Sequence, residues 1–169
     1  LNKNKALTFF RRNEKETKEH NMIVDMERND LSKICKTGSV KIDKLKKVEE
    51  YRDLFHYVTT IKGVIKNKMS NHDIISSLMP GGSVIGCPKI STIQLLNRKE
   101  KFDRNIYTGS FGIIHSNGDM RFNIMIRTLL NFKNDIELSV ASGVILGSTA
   151  NKEYNENYIK AKSLLDLFN

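Results

Sequence analysis

The chain has 169 residues, of which 39% are hydrophobic, and its 28 basic and 19 acidic side chains give a net charge of +9. A chain of this length usually forms one domain with a buried core. The basic residues are dispersed and accompany no zinc-finger or RNA-binding motif, which argues against nucleic acid as a partner. No apolar run approaches the roughly 18 residues that cross a bilayer, so we expect no membrane partner.

The two cysteines indicate a reduced protein. Cys35 and Cys87 show neither a CxxC motif nor metal-ligand spacing with any of the four histidines. Unpaired thiols are typical of reducing compartments, and no secretory signal opens the sequence. We therefore expect a cytoplasmic protein without structural zinc.

The first long element is predicted to be a helix. Residues 1–11 are polar, and the sequence assigns them no role. Apolar residues then recur at helical spacing through about 13–36, and Gly38 follows as a stop signal. Glu19 lies one turn before the apolar stripe. Its carboxylate either belongs to a site at the edge of the core or is a solvated group that favours the helix dipole.

The segment that follows contains a candidate catalytic histidine. Val40 and Ile42 alternate with polar residues, which predicts a short strand. Residues 51–64 are rich in apolar side chains, are compatible with a helix or a mixed segment, and include His56. A lone histidine on an apolar element is more often a core residue than a catalyst.

A glycine-rich segment, PGGSVIGCPK at 80–89, contains both prolines of the chain. It follows a short helix that Ser70 and Asp73 are expected to cap. Glycines let the backbone approach a ligand closely, and Pro88 suits the first turn of a new helix. The pattern fits an anion site at a helix N-terminus, and it equally fits a tight turn between helices.

The second half of the chain is predicted to contain antiparallel strands. Residues 107–115 form the first strand, and Asn117 with Gly118 is a strong hairpin signal. Residues 120–130 form the return strand, with Arg127 on its more polar face.

A third strand and a final helix complete the prediction. The third strand is expected at 136–146, and a glycine in its middle, Gly143, often marks close approach by another group. Residues 152–168 read as the last helix, on which Glu156 and Lys160 share one face. Their spacing by itself predicts only a surface pair worth about 0.3–0.5 kcal/mol.

Four segments, in this order, resemble motifs of the chorismate-utilising enzymes, and most closely those of component I of aminodeoxychorismate (para-aminobenzoate) synthase. EHNMIVDMERNDL at 19–31 is similar to the family's E-x-x-M-I-V-D-x-x-R-N-D-L, and the 80–89 segment to its PGGSxxGAPK. IRTL at 126–129 and the EYNE…KA pattern at 153–161 complete the set. Four ordered motifs are far more specific than one glycine loop.

The resemblance implies an α+β fold in which antiparallel, sandwich-like β-sheets pack with outer helices. It also implies that residues 1–169 are the C-terminal portion of a single chorismate-binding catalytic domain. The implied reaction replaces the ring hydroxyl of chorismate with an amino group, with ammonia from a glutamine amidotransferase subunit and Mg²⁺ as cofactor. The family's general-acid Glu and nucleophilic Lys have no counterpart here, so we expect them upstream of residue 1.

The resemblance also implies roles for individual residues. Glu19 and Glu156 correspond to magnesium ligands, and one or two carboxylates are what this ion commonly takes from a protein. His56 corresponds to the active-site histidine near the departing hydroxyl, which makes it the candidate catalytic residue. The R-N-D segment is mainly architectural in the family. The expected substrate-binding residues are Arg127, Ser142, Gly143, Lys160, Gly82 and Ser83.

Departures from the motifs leave two alternatives open. Ile85 stands where a hydroxyl residue is frequent, Cys87 where alanine is usual, and Gly147 where an acidic residue is usual. These differences bear on specificity more than on the fold. The first alternative is component I of anthranilate synthase, whose loop usually reads A-G-T-L-S-G. The second is a non-catalytic remnant of the family that binds only a partner subunit.

Overall fold

The computed structural model describes residues 3–51 and 55–168. They form two compact units, Leu1–Thr92 and Ile93–Asn169. Every strand pair in this part of the chain is antiparallel, and helices accompany the strands, which confirms the predicted α+β class. No helix in these two ranges is both long and apolar enough to span a membrane.

The elements are α1 (Lys3–Arg12), α2 (Glu14–Ile34), β1 (Lys41–Glu50), β2 (Phe55–Lys62), α3 (Asn71–Leu78), α4 (Gly82–Ile85), α5 (Lys89–Lys99), β3 (Ser110–Ile114), β4 (Met120–Ile124), β5 (Leu129–Asn131), β6 (Ile136–Leu138), α6 (Ala150–Leu165) and a final 3-10 turn (Asp166–Phe168).

The long helix α2 confirms the helix predicted at 13–36. The Asn13 side chain accepts a hydrogen bond from the Glu16 N–H at 3.2 Å and so caps the first turn. Val24, Asp30 and Ile34 are its buried residues. The preceding polar segment, to which the sequence assigned no role, forms the separate helix α1.

The prediction of helical or mixed structure at 51–64 is wrong where the structure describes it. Phe55–Lys62 is a strand that pairs antiparallel with β1, which is itself longer than the short strand predicted around Val40 and Ile42. Residues 52–54 of this segment lie outside the described residues. The segment is rich in β-branched and aromatic side chains, which favour a half-buried pleated surface once a partner strand is present.

The glycine segment connects three helices. Ser70 and Asp73 form the predicted capping box of α3, with the Asp73 N–H donating to Ser70 Oγ at 3.1 Å. Gly82–Ile85 then form the short helix α4, and α5 begins at Lys89, directly after Pro88. The Pro88 carbonyl accepts the Thr92 N–H at 3.0 Å.

The hairpin predicted at Asn117 and Gly118 is confirmed. β3 and β4 pair from Ser110–Ile124 to Ile114–Met120, and the His115 N–H donates to the Asp119 carbonyl at 2.8 Å. Gly118 has φ +89° with open space around it, so the turn conformation is what requires glycine.

The strands that follow are shorter than predicted. The return strand at 120–130 is interrupted, because Arg127 has φ +51° and divides β4 from β5. The third strand, predicted to reach residue 146, ends at Leu138. After β6 the chain hydrogen-bonds to α6, because Ser142 Oγ donates to the Glu153 carbonyl at 3.2 Å. α6 itself lies close to the predicted range of 152–168.

Candidate functional site

An open cavity of about 260 Å³ in the first unit brings together two of the predicted site residues, Glu19 and His56. They are far apart in sequence and lie on different elements, α2 and β2. The cavity is lined by Phe10, Glu16, Glu19, His20, Ile23, Phe55, His56 and Tyr57.

Aromatic packing around Tyr57 fixes the walls of this cavity. The Phe10 ring stacks on Tyr57 with centroids 4.8 Å apart and planes 5° from parallel. The His20 ring lies 4.9 Å from the same tyrosine. Thr17 Oγ1 donates to the Phe10 carbonyl at 3.1 Å, which ties α1 to α2. Tyr57 therefore joins α1, α2 and β2 beside Glu19 and His56.

His20 is held as a neutral ring. Its Nε2 lies 2.7 Å from Thr59 Oγ1, and the same oxygen accepts the Lys46 N–H at 3.0 Å. A hydroxyl has one donor and two acceptor sites, so the Thr59 hydroxyl can bond to both the Lys46 N–H and the His20 ring. Burial, and secondly the positive charge of Lys46, lower the pKa of His20 below its ordinary value.

His56 stands at the exposed side of the cavity. Its ring centroid lies 5.1 Å from that of Tyr51, whose hydroxyl donates to Glu49 Oε2 at 3.1 Å. Glu49 is the residue paired with His56 across the β1–β2 ladder. An exposed imidazole on the cavity lining can exchange protons with solvent and hydrogen-bond a bound hydroxyl.

The predicted loop residue Gly82 is bound to the protein itself. Its N–H donates to Asp30 Oδ2 at 3.2 Å, and a Cβ at this position would lie 3.3 Å from the Cβ of Met26. The close approach of α4 to α2 explains the glycine. Lys89 Nζ also contacts Asp30 Oδ2, at 2.7 Å. Ser83 follows as a half-buried residue of α4.

Asp30 is ionised although it is only 2% exposed. Burial opposes the charge of its carboxyl group, but hydrogen bonds from Lys33, Lys89 and the Gly82 N–H outweigh burial and hold the pKa below its ordinary value. The R-N-D segment thus supplies a buried anion that contacts the glycine segment at Gly82 and Lys89.

In the second unit, three predicted site residues lie close together beside the middle of α6. Lys160 Nζ lies 2.7 Å from Glu156 Oε1 and donates to the Ala141 carbonyl at 3.2 Å. Ser142 Oγ lies 2.7 Å from Asn157 Oδ1. The Glu156–Lys160 pair is therefore half-buried against the 141–142 backbone instead of being an isolated surface pair.

The remaining predicted residues occupy exposed backbone. Gly143 follows Ser142 in the irregular segment after β6, and Arg127 lies in the break between β4 and β5. Glu19 belongs to the first unit and Glu156 to the second, so their shared metal site stays a prediction.

The oxygen donors in the cavity lining fit a hard cation. Glu16 and Glu19 both line the cavity, and carboxylates are the protein ligands that magnesium prefers. Within 3–51 and 55–168, no group of three or more His, Cys, Asp or Glu side chains could hold a metal ion. A magnesium ion bound by one or two of these carboxylates would therefore take its other ligands from water and substrate.

A sequence model of chorismate binding enzymes matches residues 2–166. The chain belongs to the chorismate binding enzyme family. This match confirms the family indicated by the four ordered motifs, since it covers all of them.

Relatives and solved structures within the chorismate binding family are similar over most of this chain. An anthranilate synthase component I-like protein of Synechocystis is 38% identical over 153 residues, which are 90% of this chain and 32% of that protein. Aminodeoxychorismate synthase component 1 of Bacillus subtilis is 37% identical over 149 residues, 88% of this chain and 32% of that protein. The crystal structure of anthranilate synthase component I from Streptococcus pneumoniae aligns with a TM-score of 0.79 at 36% identity, over 95% of this chain and 37% of that one. The chain spans about a third of the length of the curated relatives it matches.

The buried Asp30–Lys89 pair was not predicted from the sequence. A signal was present, because Asp30 lies four residues after Met26 and four before the buried Ile34, on the apolar stripe of α2. A carboxylate on that stripe needs a cation partner. The structure supplies two, Lys33 on the same helix and Lys89 in the glycine segment.

Proposed function

We propose that this chain contributes the later part of the active site of an aminodeoxychorismate synthase component I. In the proposed reaction, ammonia replaces the ring hydroxyl of chorismate, which leaves as water, and 4-amino-4-deoxychorismate forms. A glutamine amidotransferase subunit supplies the ammonia. The observation that carries the proposal is that Glu19 and His56, to which the family resemblance gives roles, line one cavity.

Each proposed residue answers one chemical need of the substrate. His56, on the exposed side of the cavity, donates a hydrogen bond to the departing hydroxyl. Glu19 and Glu156 would hold magnesium, which would supply Lewis-acid chemistry at the ring carboxylate. The other carboxylate is met by Arg127, whose forked donors suit bidentate binding.

Two features of the second unit support the binding of a carboxylate there. Lys160 places a cation beside the 141–142 backbone, and the exposed Gly143 follows with its own N–H. In the first unit, Ser83 offers a hydroxyl donor in α4. The N–H of Gly82 is already bonded to Asp30, so Gly82 would contribute by allowing the close approach of the backbone and not by donating to the substrate.

The choice of product rests on two short segments. Gly82-Ser83 in the glycine segment and the IRTL motif at 126–129 favour aminodeoxychorismate synthase. The second candidate is anthranilate synthase component I, which is favoured by the names of the Synechocystis relative and the Streptococcus pneumoniae structure. A third candidate is a partner-binding remnant without activity.

The test uses the intact protein with chorismate, ammonium and Mg²⁺, and follows the consumption of chorismate. We expect turnover in the wild type and a kcat lower by about 10²–10⁴-fold in His56→Ala, the usual contribution of acid–base assistance. His72→Ala is the matched control, because His72 lies exposed on α3 and does not line the cavity. Equal rates in both variants would remove His56 from the site, and a wild type without turnover would favour the remnant.

A further inference from the structure

The Asp30–Lys89 pair joins four helices at one point. Asp30 belongs to α2, and Lys89 is the first residue of α5. Lys89 Nζ also lies 3.4 Å from the Ser77 carbonyl and 3.5 Å from the Leu78 carbonyl, at the C-terminal end of α3. The second donor to Asp30 Oδ2 is the N–H of Gly82, the first residue of α4.

The ammonium group of Lys89 faces three oxygen acceptors of the protein. An ammonium group has three donors, and Lys89 directs them at Asp30 and the carbonyls of Ser77 and Leu78. The carbonyls at the end of a helix carry partial negative charge, which adds to the attraction. Lys89 is only 17% exposed. Among the described residues, Asp30 is its closest partner, at 2.7 Å, and the two helix-end carbonyls lie farther away.

We infer that Asp30 and Lys89 are positioning residues, which hold the glycine segment at 80–89 in the conformation that binds the substrate. Asp30 holds the first amide of α4 directly, and Lys89 holds Asp30 in place from the far end of the segment. Ser83, the next residue after the tethered amide, is fixed through them. This inference rests on the proposed function only in that the segment borders the substrate.

Lys33 offers a matched comparison on the same carboxylate. Its Nζ lies 2.9 Å from Asp30 Oδ1, so it is as close to the anion as Lys89 is. It is 45% exposed, however, and lies three residues from Asp30 on the same helix. Among the described residues its ammonium group pairs with Asp30 within α2, so its removal should leave the glycine segment in place.

The experiment compares Lys89→Met, Lys89→Arg and Lys33→Met in the intact protein. Hydrogen exchange of the backbone amides in 80–89 reports the tether, and kcat and KM for chorismate report its effect on the site. We expect Lys89→Met to raise segment exchange and KM by about tenfold or more, which corresponds to about 1.4 kcal/mol, with a smaller change in kcat. Lys89→Arg should bring both the segment exchange and the KM part of the way back to wild type. In Lys33→Met, both quantities should stay within about threefold of wild type.

A double variant separates positioning from general stability. Asp30→Leu combined with Lys89→Met removes both charges, and replacing both members of a buried pair with apolar groups is often nearly neutral for folding. We expect it to fold but to keep a high KM, because the Gly82 N–H has lost its acceptor. A wild-type KM in this variant, or unchanged segment exchange in Lys89→Met, would overturn the inference.

The two proposals fail in different ways. If the wild type makes anthranilate, the proposed reaction is wrong, but the exchange and KM comparisons stand because that product also comes from chorismate. If there is no turnover, the exchange measurement alone decides whether Lys89 tethers the segment.

Discussion

Replacing Asp30 with Asn should strongly destabilise the protein, although the two side chains have nearly the same size. The substitution leaves the ammonium of Lys89, which is 17% exposed, beside a neutral amide. Removing one partner of a buried ion pair costs about 3–5 kcal/mol. Lys89 keeps the carbonyls of Ser77 and Leu78, and Lys33 can turn to solvent, so we expect about 3 kcal/mol, the lower end of the range.

The assay is urea denaturation of the intact protein at pH 7, followed by circular dichroism. Asp25→Asn is the matched control, because Asp25 lies on the same helix in an exposed pair with Arg28 at 3.1 Å. Such a pair contributes only about 0.3–0.5 kcal/mol. If both variants lose less than about 0.5 kcal/mol, the buried pair does not stabilise the glycine segment and the reasoning is wrong.

The difference between wild type and Asp30→Asn should depend on pH in one direction. The pKa of Asp30 is lower in the folded protein than its ordinary value, so the stabilisation is fully present above about pH 4. It is lost as the pH falls through the lowered pKa, because the folded state must then take up a proton. We expect a constant difference in unfolding free energy from pH 5 to 8 and a smaller one in stronger acid.

Three further predictions concern the site. The pKa of His20 is lowered in the folded state, so the wild-type Tm should fall as the pH drops below about 6.5. In His20→Gln this part of the fall in Tm should be absent. Parallel Tm–pH curves for wild type and variant would contradict the prediction. Glu19→Gln and Glu156→Gln should each abolish Mg²⁺-dependent turnover while far-UV circular dichroism stays unchanged; full activity in either removes that residue from the metal site. Arg127→Leu should lower kcat/KM for chorismate by about 30-fold or more, since a desolvated carboxylate loses its partner at a cost of at least about 2 kcal/mol, whereas Arg121→Leu on β4 should not.

The sequence was sufficient to predict those elements that depend on residues close to each other along the chain. The capping box of α3 and the hairpin at Gly118 are set by side chains within a few positions of each other, and both predictions were confirmed. The α2 helix likewise follows from its own periodicity and its cap at Asn13. The family was predictable for another reason, since its four motifs stand in order along the sequence.

Contacts between distant residues were not predictable in this way. The segment around His56 has apolar residues compatible with two periodicities, and pairing with β1 decides for a strand. The break between β4 and β5 depends on the positive φ of Arg127, which the local sequence pattern did not predict. The walls of the cavity depend on Tyr57 meeting Phe10 and His20, which only the packing of three elements brings about.

The central claim is tested most directly by the products that the intact protein makes from chorismate and ammonium in the presence of Mg²⁺. Amination that only replaces the ring hydroxyl keeps the enolpyruvyl side chain, whereas anthranilate formation releases it as pyruvate. We predict one 4-amino-4-deoxychorismate, identified by mass, for each chorismate consumed, and no stoichiometric pyruvate. One pyruvate and one anthranilate for each chorismate consumed would contradict the proposal.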